Sequence, residues 1–228
     1  MLTFEGVEYS DGGFRLSADL RIGGPGITAV IGPSGGGKST LLSLIGGFIL
    51  PDRGRILWET TDLGPLAPGE RPVATLFQDN NLFPHLNVTT NVALGASPRA
   101  RPSPEALRQA GEALEQVGLS DMGARMPGSL SGGQQSRAAL ARILLTDRRL
   151  VLMDEAFSAL GPALRVEMLE LVASLLSDKT VLMVTHDPGD AQRAALQTVF
   201  VESGRVNPPE DTARLLSDPP PNVAAYLA

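Results

Sequence analysis

The sequence predicts an α/β fold organised around a buried sheet. Residues 27–31 are apolar on both faces, which is typical of a central strand in a sheet covered on both sides. A glycine-rich loop and a helical pattern follow this strand directly, and further apolar runs return at 150–153 and 180–184. Strands interleaved with helices in this order favour the α/β class.

Shorter strand patterns flank the glycine-rich loop. Residues 2–9 and 14–22 carry the alternating apolar positions of strands, and 55–58 and 73–77 are further short candidates. A connection rich in proline and glycine, 64–72, separates the last two. We therefore expect several strands before the first long helical region.

Helical patterns dominate residues 79–145, which we interpret as an insertion in the α/β core. Ser103 can cap a helix that begins at Pro104 and ends at Gly118. The apolar face of that helix is predicted to consist of Leu107, Ala110, Leu114 and Val117. A short helix near 212–216 is the candidate element of the tail.

The composition excludes several classes of protein. The chain has 228 residues, of which 43% are apolar, and this is enough for a buried core. The absence of cysteine excludes disulfides and thiolate metal sites. A net charge of −6 disfavours nucleic acid as a partner. No stretch resembles a signal peptide or a spanning helix, so we expect the chain in the cytosol unless a partner holds it at a membrane.

The glycine-rich loop matches the pattern G-x-x-x-x-G-K-[ST] between a strand and a helix. It consists of Gly32, Pro33, Ser34, Gly35, Gly36, Gly37, Lys38 and Ser39, followed by Thr40. Glycines let backbone N–H groups converge on phosphate oxygens, and the helix dipole adds positive potential there. Lys38 can reach the terminal phosphates and Ser39 can offer its hydroxyl to Mg²⁺. The pattern predicts a polyphosphate site.

Two acidic residues follow the strand at 150–153. Asp154 and Glu155 stand at the carboxyl end of a buried strand, where open α/β sheets bind their ligands. Beside a phosphate loop, we expect Asp154 to hold Mg²⁺ and Glu155 to orient or deprotonate an attacking water. In isolation, such a pair is also a common helix cap.

A second anion site is predicted at Ser131, Gly132, Gly133 and Gln134. A serine that can cap, two glycines and the start of a helix together expose backbone N–H groups. With Leu130, these residues spell LSGGQ, which resembles the signature of ABC (ATP-binding cassette) ATPases and lies between the phosphate loop and the acidic strand as in that family. The resemblance implies a P-loop NTPase core, an N-terminal antiparallel β subdomain and an inserted α-helical subdomain.

The resemblance also assigns roles to three further residues. Gln78 resembles the Q-loop glutamine, which contacts Mg²⁺ or the lytic water, and His186 resembles the switch histidine, which contacts the γ-phosphate. Tyr9 stands where the family places an aromatic ring against adenine, with Phe14 as an alternative. Without the resemblance, these would be a strand-end amide, a surface histidine and a core tyrosine.

The implied ligands are ATP and Mg²⁺, and the implied assembly is a head-to-tail homodimer. In this family, the signature of one subunit closes over the ATP held by the phosphate loop of the other. The whole of 1–228 would form one ABC ATPase domain. Its catalytic core would comprise 1–78 and 146–205, its helical subdomain 79–145 and its tail 206–228.

Two positions depart from the family pattern. Ala156 stands where the family usually has proline after the acidic pair. Gly161 stands where it usually has an aspartate that bonds across the dimer interface. Because Lys38, Asp154 and Glu155 are all present, we still expect an active ATPase.

Three segments of the sequence look most like the ATPase subunit of bacterial thiamine importers. They are 77–86, with its doubled asparagine, 91–95 and 157–165. The likeness implies an integral membrane permease, a periplasmic solute-binding protein and a peripheral position on the cytoplasmic face of the inner membrane. Residues 82–86 would be part of the surface that receives the permease.

Other readings remain open on the sequence. Importers of iron(III), spermidine or putrescine, and sulfate use similar ATPases, and some ABC ATPases act outside transport. The ABC ATPases that act outside transport usually carry paired cassettes or long coiled-coil insertions, and neither occurs here. A GTPase would require an Asn-Lys-x-Asp motif, which the chain lacks, and ATP turnover without an acceptor would exclude a kinase.

Overall fold

The computed structural model describes residues 1–99 and 101–227. The strands are β1 (Leu2–Asp11), β2 (Phe14–Ile22), β3 (Gly26–Ile31), β4 (Arg53–Trp58), β5 (Thr61–Asp62), β6 (Val73–Leu76), β7 (Leu150–Asp154), β8 (Thr180–Val184), β9 (Gln197–Glu202), β10 (Arg205–Val206) and β11 (Glu210–Asp211). The helices are α1 (Lys38–Gly46), α2 (Val88–Ala93), α3 (Pro104–Gln116), α4 (Gly132–Leu144), α5 (Pro162–Leu175), α6 (Pro188–Ala194), α7 (Thr212–Ser217) and α8 (Pro221–Leu227).

The chain forms two compact units. The first, called the core unit, contains Met1–Val73, Arg149–Asp154 and the chain from Ser177 onward. The second, called the helical unit, contains Ala74–Arg148 and Glu155–Leu176.

The core unit contains a mixed sheet in the order β5-β4-β1-β2-β10-β9-β3-β8-β7, and β11 pairs with β9. The N-terminal strands β1, β2 and β4 pair antiparallel. Strand β3 pairs parallel with both β8 and β9, and β7 pairs parallel with β8. The predicted α/β class, with an antiparallel N-terminal part, is confirmed.

The parallel strands bring the ends of β3, β8 and β7 to one edge of the sheet. Val184, the last residue of β8, lies opposite Val30 of β3 on one side and Asp154 of β7 on the other. These strands are buried along nearly their whole length. Because the apolar strands fix this register, the glycine loop after β3 and the segment after β8 start beside Asp154.

A buried arginine closes the far end of α1. Arg71 is only 1% exposed, and its guanidinium donates to the carbonyl oxygens of Leu44 (2.7 Å), Ile45 (2.8 Å) and Leu66 (3.1 Å). The first two belong to the last turn of α1, where carbonyls lack intrahelical donors. Desolvation lowers the pKa of Arg71, while the charge of Asp62 acts in the opposite direction. Arg71 therefore ties the segment before β6 to α1.

The helical unit packs α2, α3 and α4 together, with α5 against α4. Ser103 caps α3 as predicted, by accepting from the N–H of Ala106. The prediction that Leu107 lies on the apolar face was wrong, since this side chain is 38% exposed. The buried face is centred one residue earlier, which turns Leu107 outward, and it consists of Ala106, Ala110, Ala113, Leu114 and Val117.

Several elements were not predicted from the sequence, namely α5, α6, β5, β9, β10 and β11. One tail helix was predicted, whereas α7 and α8 both form. Among residues 1–99 and 101–227, no helix has the length and apolar character needed to cross a bilayer.

Replacing Arg71 with methionine should lower the free energy of unfolding by about 2–4 kcal/mol, because buried carbonyls of α1 lose charge-assisted hydrogen bonds. Urea unfolding measures the change. The matched control is Arg108→Met, since Arg108 makes exposed ion pairs with Glu105 and Glu112 and should leave the midpoint unchanged. Equal midpoints for the two variants would contradict the assigned role of Arg71.

Candidate functional site

The phosphate loop lies between β3 and α1, as the sequence predicts. Gly37 precedes the first turn of α1, and Lys38 is its first residue. Lys38 is 8% exposed, and its ammonium donates to the carbonyl oxygens of Gly32 (2.8 Å) and Pro33 (3.0 Å). The N–H groups of the first turn of α1 have no acceptor within the helix, and they lie near the Lys38 ammonium. The loop can therefore surround an anion with backbone donors and one ammonium.

The start of the loop leaves no room for a side chain. At Gly32, φ is 144°, and a Cβ would lie 2.0 Å from the carbonyl oxygen of Val201 on β9. The N–H of Gly204, after β9, donates to the carbonyl oxygen of Gly36 (2.9 Å). Glycine is required because β9 and the turn after it pack directly against the loop backbone.

Ser39 and Asp154 are brought into direct contact from opposite ends of the sequence. The Ser39 hydroxyl donates to Oδ1 of Asp154 over 3.2 Å. In the described part of the chain, no cluster of three or more His, Cys, Asp or Glu side chains could hold a metal ion. One carboxylate and one hydroxyl match the sparse protein ligation of Mg²⁺, whose remaining ligands are phosphate and water. The donor set fits the predicted Mg²⁺ site.

His186 lies just beyond β8, in an exposed position at the same edge of the sheet. Thr185 before it donates from its hydroxyl to Oδ2 of the buried Asp190 (2.6 Å). The N–H of Asp187 after it donates to the Thr185 hydroxyl (3.1 Å). These bonds give the loop that carries the imidazole a defined backbone path.

Tyr9 is half-buried on β1, opposite Leu16 of β2. It lines a cleft of about 500 Å³ that also includes Arg15, Arg53 and Gly204. Phe14 approaches the loop itself, since a Cβ on Gly37 would lie 3.0 Å from its Cζ. Both aromatic candidates from the sequence therefore belong to the β1–β2 hairpin, which lies beside the phosphate loop.

The signature residues form the start of α4 in the helical unit. The Ser131 hydroxyl accepts from the N–H of Gln134 (3.3 Å), and the Gln134 side chain accepts from the N–H of Ser131 (2.9 Å). This reciprocal capping box satisfies two donors at the helix start. The helix begins at Gly132, and the capping residue Ser131 is exposed.

Glu155 has a strained backbone. Its φ is 47°, in the left-handed region that is unfavourable for residues other than glycine. Its carbonyl oxygen accepts from both the N–H (3.0 Å) and the hydroxyl (2.8 Å) of Ser158. Such strain costs about 1–3 kcal/mol and is common at functional sites. Ser158 thus stabilises an unusual position for the carboxylate that the sequence assigns to water activation.

Gln78 is exposed in the turn after β6. Next along this turn, Asn80 and Asn81 both have positive φ, of 59° and 48°, a conformation that asparagine tolerates better than most residues. Their carbonyl oxygens accept from Arg142 of α4 over 3.0 and 2.7 Å. Desolvation lowers the pKa of Arg142. The doubled asparagine therefore has a backbone function, because it shapes the turn that carries Gln78.

The ABC transporter family model matches residues 17–158, which contain the phosphate loop, the signature and the acidic pair. This chain belongs to the ABC transporter family. The thiamine import ATP-binding protein ThiQ of Cereibacter sphaeroides is 54% identical over 229 residues, covering 100% of this chain and 99% of that protein. ThiQ of Ruegeria sp. (strain TM1040) is 49% identical with the same coverage.

Solved ABC cassettes share the fold. The dimeric post-hydrolysis structure of the ATP-binding cassette MJ0796 with ADP and Pi has a TM-score of 0.78 and 29% identity, covering 93% of this chain and 99% of that one. The predicted ABC ATPase fold is confirmed.

At Gly161, this ABC chain departs from the family pattern, although the backbone conformation there does not require glycine. Gly161 caps α5 with φ of −64° and ψ of 156°, and a Cβ there would meet nothing within 4 Å. An aspartate would fit and could cap the helix with its side chain. Ala156 is buried, at 7% exposure. The structure offers no reason for the alanine.

Three side chains that support the ABC motifs were not recognised in the sequence. Ser158 holds Glu155, Arg142 holds the turn after Gln78, and the Tyr226 hydroxyl donates to the carbonyl oxygen of His186 (3.2 Å). The Gln134 half of the capping box was not recognised either, although the spacing Ser-x-x-Gln could have revealed it. Arg142 and Tyr226 act on segments far away in the chain, whereas the bond of Ser158 is local and depends on the unusual backbone of Glu155.

The two signature glycines should differ in their tolerance of a methyl group. At Gly133, a Cβ would lie 2.3 Å from Cδ2 of Leu164, whereas at Gly132 the nearest atom is 3.9 Å away, on Leu160. We expect Gly133→Ala to be less stable than Gly132→Ala by about 1–2 kcal/mol because of this overpacking. Thermal or urea unfolding of the two variants tests this prediction. Equal stability would show that the Leu164 side chain can move away from the added methyl group without a loss of stability.

Proposed function

We propose that this chain is the ATP-hydrolysing subunit of an ABC importer for thiamine. The observation that carries the proposal is its 54% identity, over essentially the full length of both proteins, to a thiamine import ATP-binding protein. Five further relatives with the same name and 44–49% identity support it. The geometry of the phosphate loop supplies the chemistry.

The triphosphate of ATP binds to the loop from Gly32 to Ser39. The N–H groups at the start of α1 and the Lys38 ammonium neutralise the phosphate oxygens. Ser39, Asp154 and Gln78 would hold Mg²⁺, which supplies charge neutralisation at the β- and γ-phosphates. Tyr9 stacks on adenine, with Phe14 as the alternative aromatic ring for this role.

Hydrolysis depends on the residues around the γ-phosphate. Glu155 orients the attacking water and accepts its proton, and Gln78 helps to place that water. His186 donates to the γ-phosphate as charge develops on it. The strained backbone of Glu155, stabilised by Ser158, supports this role because it fixes the backbone position from which the carboxylate projects.

The nucleotide site is completed by a second copy of the chain. The Ser131 hydroxyl accepts from Gln134 within its own helix, which leaves its proton able to donate to a phosphate oxygen. The start of α4, with Gly132 and Gly133, adds further N–H groups. In a head-to-tail homodimer, this surface closes over the ATP of the partner subunit.

The partners are an integral membrane permease and, through it, a periplasmic thiamine-binding protein. The chain is then peripheral to the inner membrane on its cytoplasmic face. The transported solute does not contact this subunit, so the thiamine assignment rests on similarity to whole proteins and not on any residue of the site.

The assignment is tested by purifying the chain with its permease in lipid vesicles. ATP turnover should rise when the thiamine-loaded binding protein is added, and binding proteins loaded with iron(III), a polyamine or sulfate should have no effect. Stimulation by one of those instead would replace thiamine with that solute. Purification with ribosomes or DNA, and not with the permease, would exclude transport.

Glu155→Gln should trap an ATP-loaded dimer, because the amide preserves the shape of the site but cannot accept a proton. We expect turnover to fall by at least about 100-fold, the usual contribution of a positioned base. Size-exclusion chromatography with ATP and Mg²⁺ should show the dimer. The control is Glu170→Gln, an exposed glutamate on α5. A monomeric Glu155→Gln protein beside a wild type that turns over normally would contradict the mechanism.

Gly161→Asp should strengthen dimer closure, because it restores the carboxylate that the family places at the interface. The open space around Gly161 predicts a fold at least as stable as the wild type, with a gain of a few tenths of a kcal/mol from capping α5. The dimer dissociation constant of the Glu155→Gln background, with and without Gly161→Asp, measures the effect. Unchanged closure and turnover would show that this chain does not need the aspartate.

A further inference from the structure

The C-terminal helix α8 packs against the core unit. Val223 is 2% exposed in an apolar cluster with Ile31, Phe200 and Leu215. The ring of Tyr226 lies beside that of Phe200, with the centroids 5.6 Å apart. Phe200 in turn pairs with Ile31, the residue immediately before the phosphate loop. The last helix is therefore anchored next to the strand ends that carry the nucleotide site.

From this anchored position, Tyr226 reaches the loop of His186. Its hydroxyl donates to the carbonyl oxygen of His186 over 3.2 Å. The residues on either side of His186 are held by other means, since Thr185 bonds to Asp190 and the N–H of Asp187 bonds to Thr185. The Tyr226 bond acts directly on the carbonyl oxygen of His186.

We propose that Tyr226 is a positioning residue for His186, so that the C-terminal helix sets the alignment of the switch histidine during hydrolysis. The inference rests on the role given to His186 under the proposed function. Tyr226 acts through the backbone, and its ring is fixed by Phe200, so the hydroxyl restrains the carbonyl from one direction. The imidazole then spends more time where it can donate to the γ-phosphate.

This arrangement predicts a specific kinetic signature. ATP is bound by the phosphate loop and the β1–β2 hairpin, whereas the Tyr226 hydroxyl bonds to the backbone of His186. Because His186 acts as charge develops in the transition state, its misalignment lowers kcat and leaves KM for ATP unchanged. The loss of one neutral hydrogen bond corresponds to a fall of about threefold to tenfold.

The test is Tyr226→Phe in the full chain, which removes the hydroxyl and keeps the ring against Phe200. We expect kcat to fall about threefold to tenfold, with KM for ATP and the melting temperature unchanged. The matched control is Ser217→Ala, which removes another tail hydroxyl that donates to a backbone carbonyl, that of Arg214 (3.2 Å). It should leave all three quantities at the wild-type values.

Nuclear magnetic resonance of the imidazoles gives a readout that does not depend on activity. The chain has only 2 histidines, so His85→Gln assigns both ring signals. In Tyr226→Phe, the His186 signal should shift or broaden, while that of His85 in the helical unit stays in place as an internal reference.

The outcomes are distinct. An unchanged kcat or an unchanged His186 signal in Tyr226→Phe overturns the inference, and a fall in kcat accompanied by a lower melting temperature or a higher KM assigns Tyr226 a merely structural role. His186→Ala tests the underlying proposal separately. If His186→Ala retains full turnover, the proposed role of His186 in hydrolysis is wrong. The His186 signal in Tyr226→Phe reports separately whether Tyr226 restrains the imidazole.

Discussion

The close packing of the phosphate loop against the end of β9 is the constraint on which the rest of the site depends. Gly32 approaches the carbonyl oxygen of Val201 so closely that no side chain fits, and Gly204 holds Gly36 from the same direction. This backbone contact fixes where α1 begins, and hence where Lys38 and Ser39 lie. Arg71 closes the other end of α1, so the helix is held at both termini. A charged ligand then meets donors that are already aligned.

Local chemistry made much of this predictable from the sequence. A strand, a glycine loop and a helix form a contiguous unit, and an acidic residue after a buried strand follows from the sheet alone, so Lys38, Ser39 and Asp154 could be assigned before the fold was known. The cap at Ser103 is similarly local. Leu107 was misplaced because which face of an amphipathic helix is buried depends on the neighbouring helices as well as on its own period.

Long-range contacts account for what the sequence could not provide. Arg142 and Tyr226 each support the segment of a candidate site residue by a hydrogen bond to a distant backbone carbonyl, and such bonds leave no residue pattern in the chain. The bond of Ser158 to Glu155 is local, but the left-handed backbone that it stabilises is not evident from the sequence either. The division into two units has the same origin. Gln78, Glu155 and the signature belong to the helical unit, while Lys38, Asp154 and His186 belong to the core unit, and only tertiary packing determines that assignment.

The relaxed geometry at Gly161 has a practical consequence. The position is exposed, its backbone angles suit any residue, and nothing occupies the space where a side chain would project. The chain contains no cysteine, so a single thiol introduced there would be unique in the protein. Position 161 thus offers an attachment point for a fluorophore or spin label, from which the proposed dimer closure can be followed in real time.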